Sequence, residues 1–463
     1  MQNCKGFANR TSLFALKQQK QLFSATGERS TKLYDVAIIG GGPVGNAMAC
    51  SIGHSKLLND KRVLLLESSQ PKRLGLPSPQ YSNKVFACSP ASIQMFKDLG
   101  IWNTLVDYRV KEVAGLYVLD ACSRSKVEFD PNFGTQSVSH LIEDEAITKA
   151  LYGRVADKCS NVEIRTGVKV DSCSIPKSLS EPVTIRLNNG EEVNTLLVIG
   201  ADGQKSLVRR AMEVQSTGWD YDQMAIVCTL SVDSIGGKTI AWQRFTPLGP
   251  IALLPLTDKL SSLVWTSRTQ EARRLMSLPA DQFVDELNHY LSTNDAQDPI
   301  ANQALGFMDQ AARFLRFTNK PDSTKRLPTV MQIQHDSRAA FPLGFNHTST
   351  YVKTRAALIG DAAHRIHPLA GQGVNLGWSD VRFLTAAMER ACREGADLGS
   401  LTYLSDYDTQ SQRHNVPVMI AVDWLNRLYK TTFGPMVFLR SIGLHAVDKI
   451  SPIKDLIVSR ASN

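Results

Sequence analysis

Four apolar residues, Val36-Ala37-Ile38-Ile39, run without a break into Gly40-Gly41-Gly42-Pro43-Val44-Gly45, and the chain continues as Asn46-Ala47-Met48-Ala49-Cys50-Ser51-Ile52. An unbroken apolar run suits a strand buried on both faces. The small and apolar residues after the glycines read as a helix. A second buried strand, Arg62 to Leu66, ends at Glu67, 22 residues beyond Gly45. Strand, tight turn, helix and strand within roughly 30 residues begin a doubly wound sheet. Gly40 permits the turn, Gly42 lets backbone approach a pyrophosphate, and Gly45 lets the helix close on the strand. Free amides and the dipole at the helix N-terminus favour the anion. Glu67 then stands where the ribose hydroxyls of an adenosine would lie. This unit predicts a dinucleotide and does not separate a nicotinamide from a flavin.

Two further motifs each follow a buried strand. Leu196-Leu197-Val198-Ile199 meets Gly200-Ala201-Asp202-Gly203, with Ser206, Val208 and Arg209 beyond. Ala356-Ala357-Leu358-Ile359 meets Gly360-Asp361-Ala362-Ala363-His364, followed by His367-Pro368, Gly371-Gln372-Gly373, Asn375 and Gly377. Asp361, at a strand end near the first glycine loop, is suited to the hydroxyls of a ribityl chain. Gly371 and Gly373 open a helix predicted to reach about Glu394, so their amides face an anionic ring; reduced flavin carries its charge near N1 and C2=O. His364 and His367 invite a reading as general base or metal pair. Their spacing suits a metal only on a helix, and Pro368 opposes a helix there. A loop-holding role is favoured, His367 stays the one weak catalytic candidate, and no metal is expected.

Composition limits the alternatives. The 463 residues, 43% hydrophobic and 21% charged, exclude collagen, coiled coil and wholesale disorder. The formal charge of +8 is concentrated at the ends: residues 1–32 carry +5 and residues 410–463 carry +4, so the stretch between is close to neutral. That distribution excludes a basic nucleic-acid-binding domain. Residues 1–32, free of acids before Glu28 and dotted with Leu13, Phe14, Leu16 and Phe23, read as a mitochondrial transit peptide. The eight cysteines, none closer than fourteen positions to another, predict reduced and mostly buried thiols. An Asn188-Asn189-Gly190 hairpin is expected. Alternation in 226–232 and 260–265 predicts an antiparallel sheet.

The three motifs, in this order, resemble the FAD-dependent aromatic hydroxylases of the p-hydroxybenzoate hydroxylase type. The stretch Arg338, Phe341-Pro342-Leu343, Tyr351-Val352 and Ala357 to Gly377 is most similar to the ubiquinone-biosynthesis hydroxylases among them. The resemblance spans about residues 34–450. It implies that Gly40, Gly42, Gly45 and Glu67 bind the ADP half of FAD, that Asp202 and Gly203 serve FAD and the reductant, and that Gly360, Asp361, Pro368, Gly371, Gln372, Gly373 and Asn375 hold the ribityl chain and flavin ring. Lys84 stands where these hydroxylases usually carry an Arg, keeping the charge but losing the bidentate fork.

The fold expected is α/β: a Rossmann-like FAD-binding domain (33–214 and 346–400) interleaved with a mixed, largely antiparallel substrate domain (215–345, with an insertion at 292–330), then C-terminal helices (401–463). The resemblance implies hydroxylation of a polyprenylated phenolic ring by O2 through a flavin C4a-hydroperoxide, the chemistry belonging to the cofactor. An apolar pocket lined from 215–345 is expected. Electrons would come from a ferredoxin and its reductase, and the setting would be the matrix side of the mitochondrial inner membrane, in a multi-enzyme coenzyme Q complex. Segment 416–450, apolar and basic, suits a membrane surface, a partner protein, or a cover over the FAD domain. An FAD-linked isoprenoid reductase or epoxidase shares the first and last motifs, and a prenyl-binding escort of the GDI type shares the glycine loop alone.

Overall fold

The computed structural model describes residues 32–129, 137–233, 239–294, 297–314 and 327–449. All but the last residue of the expected transit peptide, and the tail 450–463, lie outside them.

The first sheet is built on the buried runs read from the sequence. Strands Val162–Thr166, Val63–Glu67, Leu33–Ile39, Glu192–Gly200 and Ala356–Leu358 lie side by side and parallel, with Val36 opposite both Val63 and Leu197. Strand Val352–Lys353 closes one edge antiparallel. The helices Pro43–His54, Asp144–Lys158 and Gly373–Arg393 pack with this sheet into one core. Val36, Ala37, Ile38, Leu64 and Leu65 have no exposed surface. Each buried aliphatic side chain of this kind stabilises the fold by about 1.5–3 kcal/mol. The expected hairpin joins Val183–Leu187 to Glu192–Gly200, with Gly190 at φ 82°.

The second sheet has nine strands and its own core around Trp265, Phe283, Leu263 and Leu287. Its centre is the long strand Ser216–Val232, antiparallel to Leu260–Arg268 on one side and to Ala339–Thr348 on the other. The interleaving is realised strand by strand. Gly115–Asp120, from the first half of the chain, pairs parallel with Ile240–Thr246, and His364–Arg365 of the third motif pairs with Ala339–Thr348. A three-stranded antiparallel sheet, Val85–Cys88, Ser139–Glu143 and Lys111–Val113, stands apart from both.

Segment 292–330, read from the sequence as an insertion, is partly helical. It carries a helix, Pro299–Phe314, whose Ala301 and Leu305 are buried. Asp298 starts it by accepting the Ala301 amide at 2.9 Å, and Ala301 clusters with Cys122 and Val437. Residues 315–326 lie outside the described residues.

Two helices close the fold, Leu401–Lys430 and Gly434–Lys449. Leu404, Tyr407, Ser411, Asn415, Met419, Val422, Asn426 and Tyr429 form the buried stripe of the first, at the three- and four-residue spacing of a helix face. This helix therefore covers the molecule with one side and exposes Ile420 and Trp424 on the other. Arg440 on the last helix pairs with Asp120 of the second sheet at 3.0 Å, both side chains fully buried. The arginine also donates to the carbonyls of Leu428 and Thr431, so the buried charge is well satisfied.

Candidate functional site

The first two motifs touch through backbone. A Cβ on Gly45 would overlap the Gly40 carbonyl oxygen, and Gly40, at φ 106°, abuts the carbonyl of Ala201. No side chain fits at either position. Ala201 N donates to Ile39 O at 2.8 Å and Ile359 N to Gly200 O at 3.0 Å, so all three strand ends are tied together. The third motif arrives beside Val44: a Cβ on Gly377 would lie 2.8 Å from the Val44 side chain, and one on Gly360 would lie 3.3 Å from it. Arg209 completes the junction by donating to Ala362 O at 2.7 Å. The motifs, more than 150 residues apart in sequence, thus meet at one place.

Two helix N-termini open at this place, and neither has a side-chain cap. Pro43 occupies the first turn of Pro43–His54, where its missing N–H costs nothing. A Cβ on Gly42 or on Gly203 would meet nothing within 4 Å, so the loops present open space beside unpaired amides. Asp202 spends one carboxylate oxygen on the Leu207 amide at 2.6 Å, while its other oxygen is buried with no partner in the protein. Asp361 stands exposed on the short 3-10 turn Gly360–Ala362. Glu67 reaches across the glycine loop: its Oε2 accepts the Gly41 amide at 2.6 Å and its Oε1 accepts the Ser69 amide at 2.7 Å. Burial alone would raise its pKa, but the hydrogen bonds from Ser69 and Gly41 outweigh burial and hold the carboxyl below its usual value. Its Oε2 keeps acceptor capacity for a hydroxyl.

Three of the expected residues have partners of their own within the protein. The Asn375 side chain is spent within the protein: it accepts from Ser89 N at 3.0 Å and Ser92 Oγ at 2.8 Å, and donates to Ala87 O at 3.0 Å and Gly371 O at 3.2 Å. It clamps the Gly373–Arg393 helix to the segment 87–92, leaving only its backbone amide for an anion. Lys84 directs its charge at Asp144, 2.6 Å away, and is largely exposed. His367 cannot act as a base from its Nε2. Its Nδ1 accepts the Leu369 amide at 3.2 Å, so the proton of the neutral ring sits on Nε2. Burial pushes the His367 pKa down to about 4, and Nε2 is buried with no partner in the protein. His367 is therefore a neutral ring that caps the turn Pro368–Ala370 and offers one N–H.

His364 has the opposite electrostatics. Its Nε2 meets Asp380 Oδ2 at 2.6 Å, with both side chains buried. Burial pulls its pKa down, but the Asp380 carboxylate outweighs that and raises it above the usual value. Asp380 also accepts from Gly360 N at 2.9 Å, Ser411 Oγ at 2.8 Å and Asn415 Nδ2 at 2.9 Å. This fully bonded carboxylate, absent from the motifs read above, fixes the turn that presents Asp361. His364 and His367 both hold the loop, one through Asp380 and the other through the Leu369 amide.

The second sheet reaches the same loop with side chains. Gln243 Nε2 donates to Leu369 O at 3.1 Å, and the Tyr221 ring stands edge-on to His367 with centroids 5.2 Å apart. Tyr221 is held in turn by Asp423, its hydroxyl donating at 2.8 Å. Asp423 also lines a cavity of about 460 Å³ with Trp424, Arg427, Leu428, Thr431 and Met436. The buried orphan oxygen of Asp202, the unfilled spaces at Gly42 and Gly203 and the two uncapped helix ends match a bound dinucleotide with an anionic centre and an anionic ring.

Comparison with known proteins agrees. A family model described as FAD binding domain matches residues 33–315 and 322–417. The chain is 46% identical over 438 residues, 94% of its length and 96% of the relative's, to the mitochondrial ubiquinone biosynthesis monooxygenase COQ6 of Caenorhabditis elegans. The COQ6 proteins of Homo sapiens and Saccharomyces cerevisiae are 40% and 35% identical, each aligned over 94% of this chain and over 94% and 95% of their own lengths. Among solved structures, p-nitrophenol 4-monooxygenase PnpA of Pseudomonas putida shares the fold, with a TM-score of 0.67 and 17% identity over 93% of this chain and 99% of its own. Three motifs folded into one dinucleotide seat, and relatives alike along the whole chain, place this protein in the family of FAD-dependent monooxygenases to which the mitochondrial COQ6 enzymes belong.

Proposed function

We propose that this protein hydroxylates the aromatic ring of a polyprenylated phenol, of the 4-hydroxybenzoate type, in ubiquinone biosynthesis. The observation that carries the reading is the third motif, whose Gly360 and Gly377 pack on Val44 of the first glycine loop and whose loop 366–372 is met by Tyr221 and Gln243 of the second sheet. The name shared by the relatives supplies the substrate class. The same names favour a monooxygenase over an isoprenoid reductase or an escort.

When bound, reduced FAD supplies the activation of O2 and the transfer of one oxygen atom to an electron-rich ring. The chain's own residues then bind and position. The first-turn amides of Pro43–His54 hold the pyrophosphate and Glu67 accepts from the ribose. Asp361 takes the ribityl hydroxyls, and the free amides opening Gly373–Arg393 stabilise negative charge on the ring. Buried, neutral His367 offers an N–H without adding charge. Tyr221, Leu343 and Ile366, all buried, exclude water where the ring must be oriented.

The prenyl tail would leave by way of the cavity at Trp424, Leu428 and Met436. Exposed Ile420, Trp424, Phe433 and Leu439, beside Arg427 and Lys430, suit peripheral contact with an anionic membrane on the matrix side, or a neighbour in a coenzyme Q complex. No helix among the described residues is long and apolar enough to cross a membrane. Electrons would come from a ferredoxin and its reductase.

Deletion of the gene tests the substrate. Accumulation of a prenylated ring lacking one hydroxyl supports the proposal, and normal quinone in the deletion removes it. A purified protein that is colourless and takes up no FAD would contradict the flavin reading itself.

A further inference from the structure

A second cluster of reactive side chains lies at the far end of the helix that begins at the glycine loop. Cys50 and His54 stand one turn apart in Pro43–His54, and Cys159 is the residue on which the helix Asp144–Lys158 ends. Both cysteines are buried, and their sulfurs and His54 Nδ1 all lie within 4.8 Å of one another. Gly53 permits the approach, since a Cβ there would overlap the Cys159 sulfur.

Two sulfurs and an imidazole invite a metal reading, but the proton positions oppose it. Arg154 Nε donates to His54 Nε2 at 3.0 Å, and a guanidinium cannot accept. The Nε2 lone pair is thus engaged and the proton of the neutral ring stays on Nδ1, the atom a metal would need. That Nδ1 lies 3.0 Å from Cys50 O, 3.6 Å from Cys50 Sγ and 3.5 Å from Cys159 Sγ. The Nδ1 proton goes to the Cys50 carbonyl, the two sulfurs lie just beyond it, and a cation stands behind the ring. The Cys50 thiol, as hydrogen-bond donor, lowers the Cys159 pKa, and the Arg154 charge adds to the effect. Cys50 is pushed up by its bond to Cys159 and by burial. The two sulfurs can share one proton, and the Arg154 charge behind the imidazole favours negative charge on the pair.

We infer that Cys159 and Cys50 form a peroxide-reactive dithiol that closes a reversible disulfide between the two helices, with Cys159, at a helix end and the less buried of the two, attacking and Cys50 resolving. The Cys159 thiolate gives an electron pair to one oxygen of hydrogen peroxide, the O–O bond breaks, and a sulfenic acid and hydroxide result. Hydroxide takes the Cys50 proton, and the Cys50 sulfur displaces a second hydroxide from Cys159. With the proton first lost by Cys159, two thiols and one hydrogen peroxide become one disulfide and two waters. The assignment is independent of the proposed substrate.

The test is to titrate the full-length holoprotein with hydrogen peroxide, block free thiols with N-ethylmaleimide and map the peptides by mass. The expected result is a linked Cys50–Cys159 peptide pair at one equivalent of peroxide, reversed by dithiothreitol, while buried Cys88 and Cys228 remain alkylatable after unfolding. In Cys50→Ser, Cys159 is expected to be trapped as a sulfenic acid that reacts with dimedone. Full alkylation of both residues after peroxide overturns the inference, as does oxidation of Cys159 beyond sulfenic acid without any link. Zinc retained at one per chain and lost in Cys159→Ala also overturns it, in favour of a metal. Should the variants fail to fold, the linked pair in the unaltered protein decides alone.

Discussion

The two sheets meet the third motif, residues 360–377, with different parts of the chain. The first sheet uses backbone: Gly40, Gly45, Gly360 and Gly377 stand where helices and strands meet without room for side chains, and the amides left over make the seat. The second sheet uses side chains, Tyr221 and Gln243, carried on strands whose other contacts are ordinary core. A seat made of backbone is tolerant of sequence elsewhere and intolerant at its glycines. A wall made of side chains can be retuned, so on the proposed function holding the cofactor and choosing the substrate would fall to different sheets.

The largest effect should follow a side chain forced into the backbone seat. Gly45→Leu places atoms on the Gly40 carbonyl, and overpacking of that kind costs about 3 kcal/mol or more. Flavin absorbance of the purified variant should fall to background, and retention of stoichiometric FAD would break the contrast between the sheets.

Acid should come next. His367 is held neutral with its pKa pushed down to about 4 against an ordinary 6.5, so its contribution is complete above that ordinary value and is lost as pH falls toward 4. The loss is about 2–3 kcal/mol. His364 runs the other way: its raised pKa gives stability that is complete below the ordinary value and is lost as pH climbs through the raised one. Denaturant titrations across pH should show both limbs, with His367→Gln flattening only the acid one. An unchanged acid limb in that variant would refute the burial argument.

Asn375→Ala should cost about 2 kcal/mol, because it strands the buried Ser89 amide and leaves the Ser92 hydroxyl only its bond to Ser89 Oγ. A loss of flavin with no loss of stability would instead restore Asn375 as a cofactor ligand. The smallest change belongs to the side-chain wall. Tyr221→Phe removes one hydrogen bond to Asp423, worth about 1 kcal/mol, and should leave FAD content intact while raising KM for the phenol a few-fold. Lost flavin with an unchanged KM would erase the division between the sheets.

The legible parts of this molecule are those where local sequence and tertiary position coincide. Val36 to Ile39 before Gly40, and Ala356 to Ile359 before Gly360, announce buried parallel strands ending in turns, and such strands pair as expected. Glu67 was legible as a carboxylate at a strand end beside the glycine turn, but its bond to the Gly41 amide was not. What was not legible depends on partners far away in the chain. Asp120 and Arg440 are unremarkable alone and become a buried pair only across the folded molecule. Asp380 sits mid-helix with no motif around it, yet it bonds His364, Gly360, Ser411 and Asn415. The internal partners of Asn375 and Lys84 were not legible for the same reason: residue type indicates what a side chain can bond, and packing decides which partner it meets. Cys50, His54 and Cys159 were passed over because two of them are 109 positions from each other, outside any metal or redox spacing.

The central claim, that this seat and this wall together insert oxygen into a phenolic ring, is most directly tested with isotopically heavy O2. The FAD-loaded protein is supplied with a reductant and a prenylated 4-hydroxyphenyl substrate, and the product is analysed by mass. Monooxygenation predicts one heavy oxygen on the ring and none from heavy water. A product that carries no heavy oxygen, or that is altered only in its prenyl chain, would contradict the account.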